Sequence, residues 1–170
     1  MDFLLTRLSR RSLEHVARTI VAATFSLALA EAFRFREAYW AAITTMIVMQ
    51  STLGAALTVS TQRFVGTALG AAAGALLVTR LGSNLVVFAA GVCGLGIVCA
   101  ILNLDRAAYR FAGIALAIMI LVPRNDVPWM IAMHRLFEVS LGIATALLIT
   151  ELWPERPAPP SGQSSTAPAP

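Results

Sequence analysis

The chain has 170 residues, of which 58% are hydrophobic and only 13% charged, and its formal net charge is +4. With a mean hydropathy of +0.75, that composition excludes an ordinary soluble domain and places the chain among membrane proteins. A pI near 10.0 without a basic stripe interleaved with aromatics suits anionic lipid and gives no reason to expect a nucleic-acid partner.

The opening Met1–Glu14 reads as an amphipathic arm. Phe3, Leu4, Leu5, Leu8 and Leu13 stand against Arg7, Arg10 and Arg11, a pattern suited to the headgroup level of a bilayer. A cleaved signal peptide is not expected, because the apolar stretch after Arg18 is too long and lacks a small-x-small cleavage site with a soluble domain behind it. Six apolar stretches follow, at 16–33, 38–52, 55–79, 85–102, 111–122 and 130–152. At about 1.5 Å per residue they can cross most of a ~30 Å hydrocarbon core, although the second and fifth are short. Nothing alternates with a period of two, so a lipid-embedded barrel is ruled out. The predicted fold is an all-α membrane protein of about six transmembrane helices over residues 15–153. The Pro-, Ser- and Ala-rich tail, 154–170, is predicted to be disordered.

Arginines in the short loops bear on orientation. With the N-terminus inside, Arg7, Arg10, Arg11, Arg63, Arg106, Arg110 and Arg156 fall on the inner side, and Arg34, Arg36, Arg80, Arg124 and Arg135 on the outer. The small excess predicts a multi-pass bacterial inner-membrane protein with both termini cytoplasmic. All thirteen basic residues are arginine. Either a GC-rich genome or a preference for forked anion recognition explains that.

The third stretch carries the most informative motif. Arg63 leads into Gly66, Gly70 and Gly74, three glycines four apart that make a flat helix stripe for close packing. A shift of 72 residues superposes Arg63 on Arg135, Leu69 on Leu141, Gly70 on Gly142, Ala72 on Ala144 and Arg34 on Arg106. It also sets the break at 50–54 on the one at 122–126. A copy of three spans is odd in number, so a second copy would insert upside down. Two inverted three-helix repeats of this kind build many transporters, with a midplane site between the halves. Coincidence in an Ala- and Leu-rich chain is the competing explanation.

If the third span starts near Ala55, Arg63 lies roughly 12 Å along it. Arg63 and Arg135 would then border one polar cavity with Gln50, Ser51 and Thr52, and a carboxylate substrate is the natural anion for them. Alternatively the span starts at Arg63, which snorkels to lipid phosphate, and Glu138 neutralises Arg135 across one turn. Glu138 is a candidate for carrying a proton, or else a structural partner of Arg135. Glu31 is placed to pair with Arg34. Tyr39, Trp40 and Trp153 read as interfacial anchors. Cys93 and Cys99 read as buried, inert thiols, and His15 and His134 are isolated. No metal, no cofactor and no nucleophile with its base is expected, hence no enzyme. The Gly91, Gly94 and Gly96 run lies inside a hydrophobic span and reads as packing.

The run from Tyr39-Trp40 through Gln50-Ser51, followed by Arg63-Phe64-Val65-Gly66-Thr67-Ala68-Leu69-Gly70, resembles the core of the fusaric acid resistance-like and aromatic acid exporter families. The Arg135–Gly142 segment ending at Trp153-Pro154 is similar to their closing span, so the resemblance covers about Ser12 to Pro154. It implies a six-helix unit that moves aromatic or other organic carboxylates outward. Plant malate-type anion channels, which resemble the same unit, further imply a homodimer with arginines along the pore. The chain departs from larger members in having one such unit without a long cytoplasmic domain after it. Two functions remain open at this point. One is an efflux transporter or channel for organic anions. The other is a non-transporting accessory or structural subunit that binds lipid or a partner protein.

Overall fold

The computed structural model describes residues 10–50, 52–122 and 126–154. Six helices fill them: α1 Arg10–Ala32, α2 Tyr39–Val48, α3 Leu53–Leu81, α4 Leu85–Ile101, α5 Arg106–Leu121 and α6 Pro128–Leu152. No strand forms among the described residues. Each helix falls on one of the six apolar stretches. Three of them, α1 from Leu13 onward, α3 and α6, are individually long and apolar enough to cross a membrane. At the other extreme, α2 has only 10 residues, about 15 Å of helix. Helix α1 begins at Arg10, so the last residues of the amphipathic stretch continue directly into the first span. The rest of that arm, Ser51, residues 123–125 of the second break and the tail from 155 lie outside the described residues.

Local chemistry sets the boundaries. The Thr52 hydroxyl accepts the Ala55 amide at 3.3 Å and caps α3, and the Asn84 side chain accepts the Val87 amide at 2.9 Å and caps α4. Both bonds satisfy amides that the first helical turn leaves without partners. Helices α1 and α4 end alike. Arg34 (φ 58°) and Asn103 (φ 51°) adopt the left-handed conformation. The next amide in each case, Phe35 or Leu104, reaches back to Ala30 at 3.0 Å or Cys99 at 2.9 Å, in the manner of a Schellman turn. The Arg34 amide donates to the Glu31 carbonyl at 2.8 Å, so these two residues meet through the backbone rather than through the expected ion pair.

The interior is built of small residues. On α3 the buried stripe runs Ala56, Ser60, Arg63, Gly66, Thr67, Gly70, Ala71, Gly74, Ala75, while Leu57, Phe64, Val65 and Leu76 point outward. Exposed Val21, Phe25, Ile97, Phe137 and Leu148 repeat that arrangement on other helices. It suits lipid, where helices gain nothing by burying large side chains against one another and associate through close backbone contact. Cys99 is buried but Cys93 is exposed, which corrects the reading of both thiols as buried. Their positions, six apart on α4, point them in different directions.

Close contact occurs where the glycines are. A Cβ added at Gly66 or Gly70 would collide with the carbonyl oxygen of Ala108 or Ala112 on α5. At Gly142 it would come within 2.5 Å of the Ala41 carbonyl oxygen on α2, and at Gly74 within 2.5 Å of the Met119 Cβ. Helix α3 therefore crosses α5 nearly backbone to backbone, and α6 crosses α2 in the same way. The remaining pairings continue the correspondence. α1 packs on α2 as α4 does on α5, α1 touches α6 as α4 touches α3, and α3 lies against α6. Exchanging α1–α3 with α4–α6 leaves the set of helix pairs unchanged, as expected of two three-helix repeats.

Replacing Gly70 by Val should destabilise the protein by about 1–3 kcal/mol or more, since the methyls have only backbone to displace. Gly94, also helical, has nothing within 4 Å of an added Cβ. Gly94→Ala should be neutral or stabilising by about 0.5–1 kcal/mol. Thermal unfolding of both variants in detergent measures the contrast.

Candidate functional site

Arg63 is the tenth residue after Leu53 in α3, about 15 Å from the helix start, and Arg135 the seventh after Pro128 in α6. Each is only 3% exposed. Nearly three turns of helix precede Arg63, and its side chain turns inward toward Thr44 and Phe111 instead of outward. Burial follows from the close α3–α5 and α6–α2 crossings, which leave long side chains on the inner stripe no route to the outer surface.

Each guanidinium lies over an aromatic ring of the helix it crosses. The Arg63 carbon Cζ is 4.8 Å from the Phe111 ring centre, and that of Arg135 is 4.2 Å from the Trp40 ring centre, both within cation–π range. Ring and neighbouring alanine recur together: Phe111 and Ala112 in one half answer to Trp40 and Ala41 in the other. That correspondence is one residue shorter than the shift of 72 that aligns α3 with α6. It was invisible in the sequence because Tyr39-Trp40 read as an interfacial anchor. Tyr39 is half exposed, as an anchor would be, whereas Trp40 turns inward.

The two arginines face one narrow cleft of about 10 Å³ and repel each other across it. Trp40, Phe111, Thr67 and Val139 line it beside them, with Ile114, Ala115 and Ile118 completing an apolar wall. Two buried N–H groups of its lining residues, Arg63 Nε and Trp40 Nε1, have no hydrogen-bond partner. Ser60, one turn before Arg63, likewise has a buried hydroxyl without one.

The electrostatic surroundings of the two cations differ. Arg135 Nη2 is 3.1 Å from a Glu37 carboxylate oxygen, and Nη1 is 3.8 Å from Glu138. Glu138 is 2% exposed, placed as the counter-ion of Arg135 across one helical turn. Arg63 has a Thr44 hydroxyl 3.3 Å from Nη2. Among the described residues no carboxylate lies within ion-pair distance of it. Such a buried cation is costly unless an anion or water receives it.

The other expected site residues are placed elsewhere. Thr52 caps α3 at its exposed first turn, and the Gln50 amide donates to the Ile47 carbonyl at 3.3 Å. Neither lines the cleft, and from Thr52 to Arg63 the helix rises about 16 Å. Ser51 lies outside the described residues. Sequence reasoning passed over Glu37, Thr44, Trp40 and Phe111, all on crossing partners that only tertiary structure reveals. It also used Arg18 merely as a span boundary, whereas that side chain is fully buried in α1. Among the described residues no group of three His, Cys, Asp or Glu could hold a metal ion. His134 engages the Met130 carbonyl at 2.8 Å.

Six apolar helices, small-residue crossings and arginines buried at their centre define a polytopic membrane protein of transport type. Residues 22–149 match the fusaric acid resistance protein-like family, and the chain belongs to that family. No curated protein and no solved structure matches it.

The Arg135–Glu138 pair can be tested directly. Arg135→Leu leaves Glu138 buried without its cation and should cost about 3–5 kcal/mol. Adding Glu138→Leu to that variant should restore part of the loss, and thermal unfolding of the single and double variants measures the coupling.

Proposed function

We propose that this protein is a transporter or channel of the bacterial inner membrane that moves aromatic or other organic carboxylates outward, with both termini in the cytoplasm. Arg63 carries this reading: a buried cation at a helix crossing, lining a cleft, with no carboxylate of its own. A carboxylate offers a guanidinium two parallel N–H···O bonds. Beside that cation the cleft supplies the faces and edges of Phe111 and Trp40 with Ile114 and Ile118, surroundings suited to the apolar body of an organic acid. Arg135, already held by Glu37 and Glu138, is the secondary contact. Gln50 and Thr52, at the α2–α3 junction, border the approach from the cytoplasmic side.

The cleft has room for only about 10 Å³, far less than the roughly 300–1,000 Å³ of typical small-molecule sites, so loading requires the halves to part. The equivalent helix pairings on both sides of the α3–α6 contact support that motion, since rocking of one repeat against the other exposes a shared site alternately to each face. Membrane family and apolar helices support the location, and the arginine distribution the orientation.

The test is anion flux in proteoliposomes. Arg63→Ala should lower benzoate efflux about 10- to 100-fold, as expected for loss of charge-assisted hydrogen bonds worth roughly 1.5–3 kcal/mol. Arg63→Lys should fall between, retaining the charge but losing the fork. Benzoate should raise the unfolding temperature of the wild type and not that of Arg63→Ala. Equal flux for wild type and Arg63→Ala would remove Arg63 from the path. No protein-dependent flux of any organic anion would favour an accessory subunit instead.

A further inference from the structure

The correspondence between the halves fails beside the two arginines, and the failure is chemical. Arginine answers to arginine, an aromatic ring to an aromatic ring, and Gly70 against Ala112 to Gly142 against Ala41. One turn after Arg63, however, α3 has Gly66 packed on Ala108 of α5. The shift of 72 residues puts Glu138 at that place in α6, and Glu37 stands just ahead of the partner helix α2. Both carboxylates are spent on Arg135, at 3.1 and 3.8 Å. Among the described residues Arg63 keeps a neutral hydroxyl and a ring face.

With equal halves the cleft would present two open cations, a receptor for a dicarboxylate. As built it presents one. We infer that Glu138 and Glu37 are specificity-determining residues that act as resident substitutes for a second substrate carboxylate, so that the site selects organic monocarboxylates and rejects dicarboxylates. This rests on the reading of Arg63 as the anion contact. The selection is both positive and negative. Arg63, Arg135, Glu37 and Glu138 together carry no net charge, so a monocarboxylate seated on Arg63 adds a single negative charge there. A dicarboxylate adds two, and brings its second carboxylate toward Glu37 and Glu138 in a poorly solvated space, where repulsion is strong. A built-in repulsive element of this kind discriminates between ligands that share every attractive contact.

Benzoate and isophthalate, both fully ionised at pH 7 and sharing one ring, are the probes. Their dissociation constants for the full-length protein in detergent give a monoanion-to-dianion preference. The wild type should favour benzoate. Glu138→Gln, which keeps the side-chain volume but frees Arg135 of one charge, should shift the preference toward isophthalate by about tenfold or more. Glu37→Gln, at a less buried position (20% exposed), should shift it the same way and serves if Glu138→Gln does not fold. Arg63→Ala should weaken both ligands. Wild-type preference for isophthalate, or a ratio unmoved in a folded Glu37→Gln or Glu138→Gln variant, would overturn the assignment while leaving anion binding intact. Failure of the wild type to bind either acid would overturn the transport reading and this inference with it.

Discussion

The structure turns on the burial of Arg63. A guanidinium at 3% exposure, with a threonine hydroxyl and a phenyl face for company, is a large electrostatic cost in any medium of low polarity. Everything around it serves to hold it there. Glycines 66 and 70 bring α3 onto α5 so closely that the carbonyls of Ala108 and Ala112 occupy the room a side chain would need. Phe111 comes with that helix and lies under the cation. Thr44 comes from α2, which the Gly142 contact holds against α6. Small-residue packing and charge burial are therefore one design. The same close approach that joins helices in lipid also closes the guanidinium's way out.

Arg135 shows what the alternative looks like. It occupies the matching place in the second half, over Trp40 instead of Phe111, and its cost is met internally by Glu37 and Glu138. Near-symmetry with a chemical difference beside the arginines gives the cleft a direction that two identical repeats would lack. One cation has the protein's own carboxylates against it, and the other has none within ion-pair distance among the described residues. On the proposed reading, such a site would hold an anion without becoming a permanent sink for it. The second cation, close enough for repulsion but already neutralised, adds less to the grip than an open one would.

Much of this was legible in the sequence, for reasons that can be named. The six helices follow from the apolar runs, and hydropathy is a strong signal when a helix must satisfy its own backbone in lipid. The Arg63–Gly74 stripe could be read because glycine at four-residue spacing has few other uses in a span. The shift of 72 residues linked Arg63 with Arg135 and Gly70 with Gly142. What stayed hidden were the partners across the crossings. Trp40 read as an anchor because its neighbour Tyr39 is one. Glu37 sits outside the helices, where a carboxylate ordinarily meets water. Phe111 is one of many aromatics in apolar runs. Gln50 and Thr52 were drawn toward the arginines by the break in the helix. That break places them at the α2–α3 junction, about 16 Å of helix rise away.

The most direct test of an open cation at the α3–α5 crossing is to locate a bound acid. Crystals grown with 4-bromobenzoate and measured at the bromine edge mark the ring by anomalous scattering. The expected result is a bromine peak in the cleft between Phe111 and Trp40, with the carboxylate on Arg63. Bromine found only at the outer surface, with Arg63 turned to the headgroup layer, would contradict it.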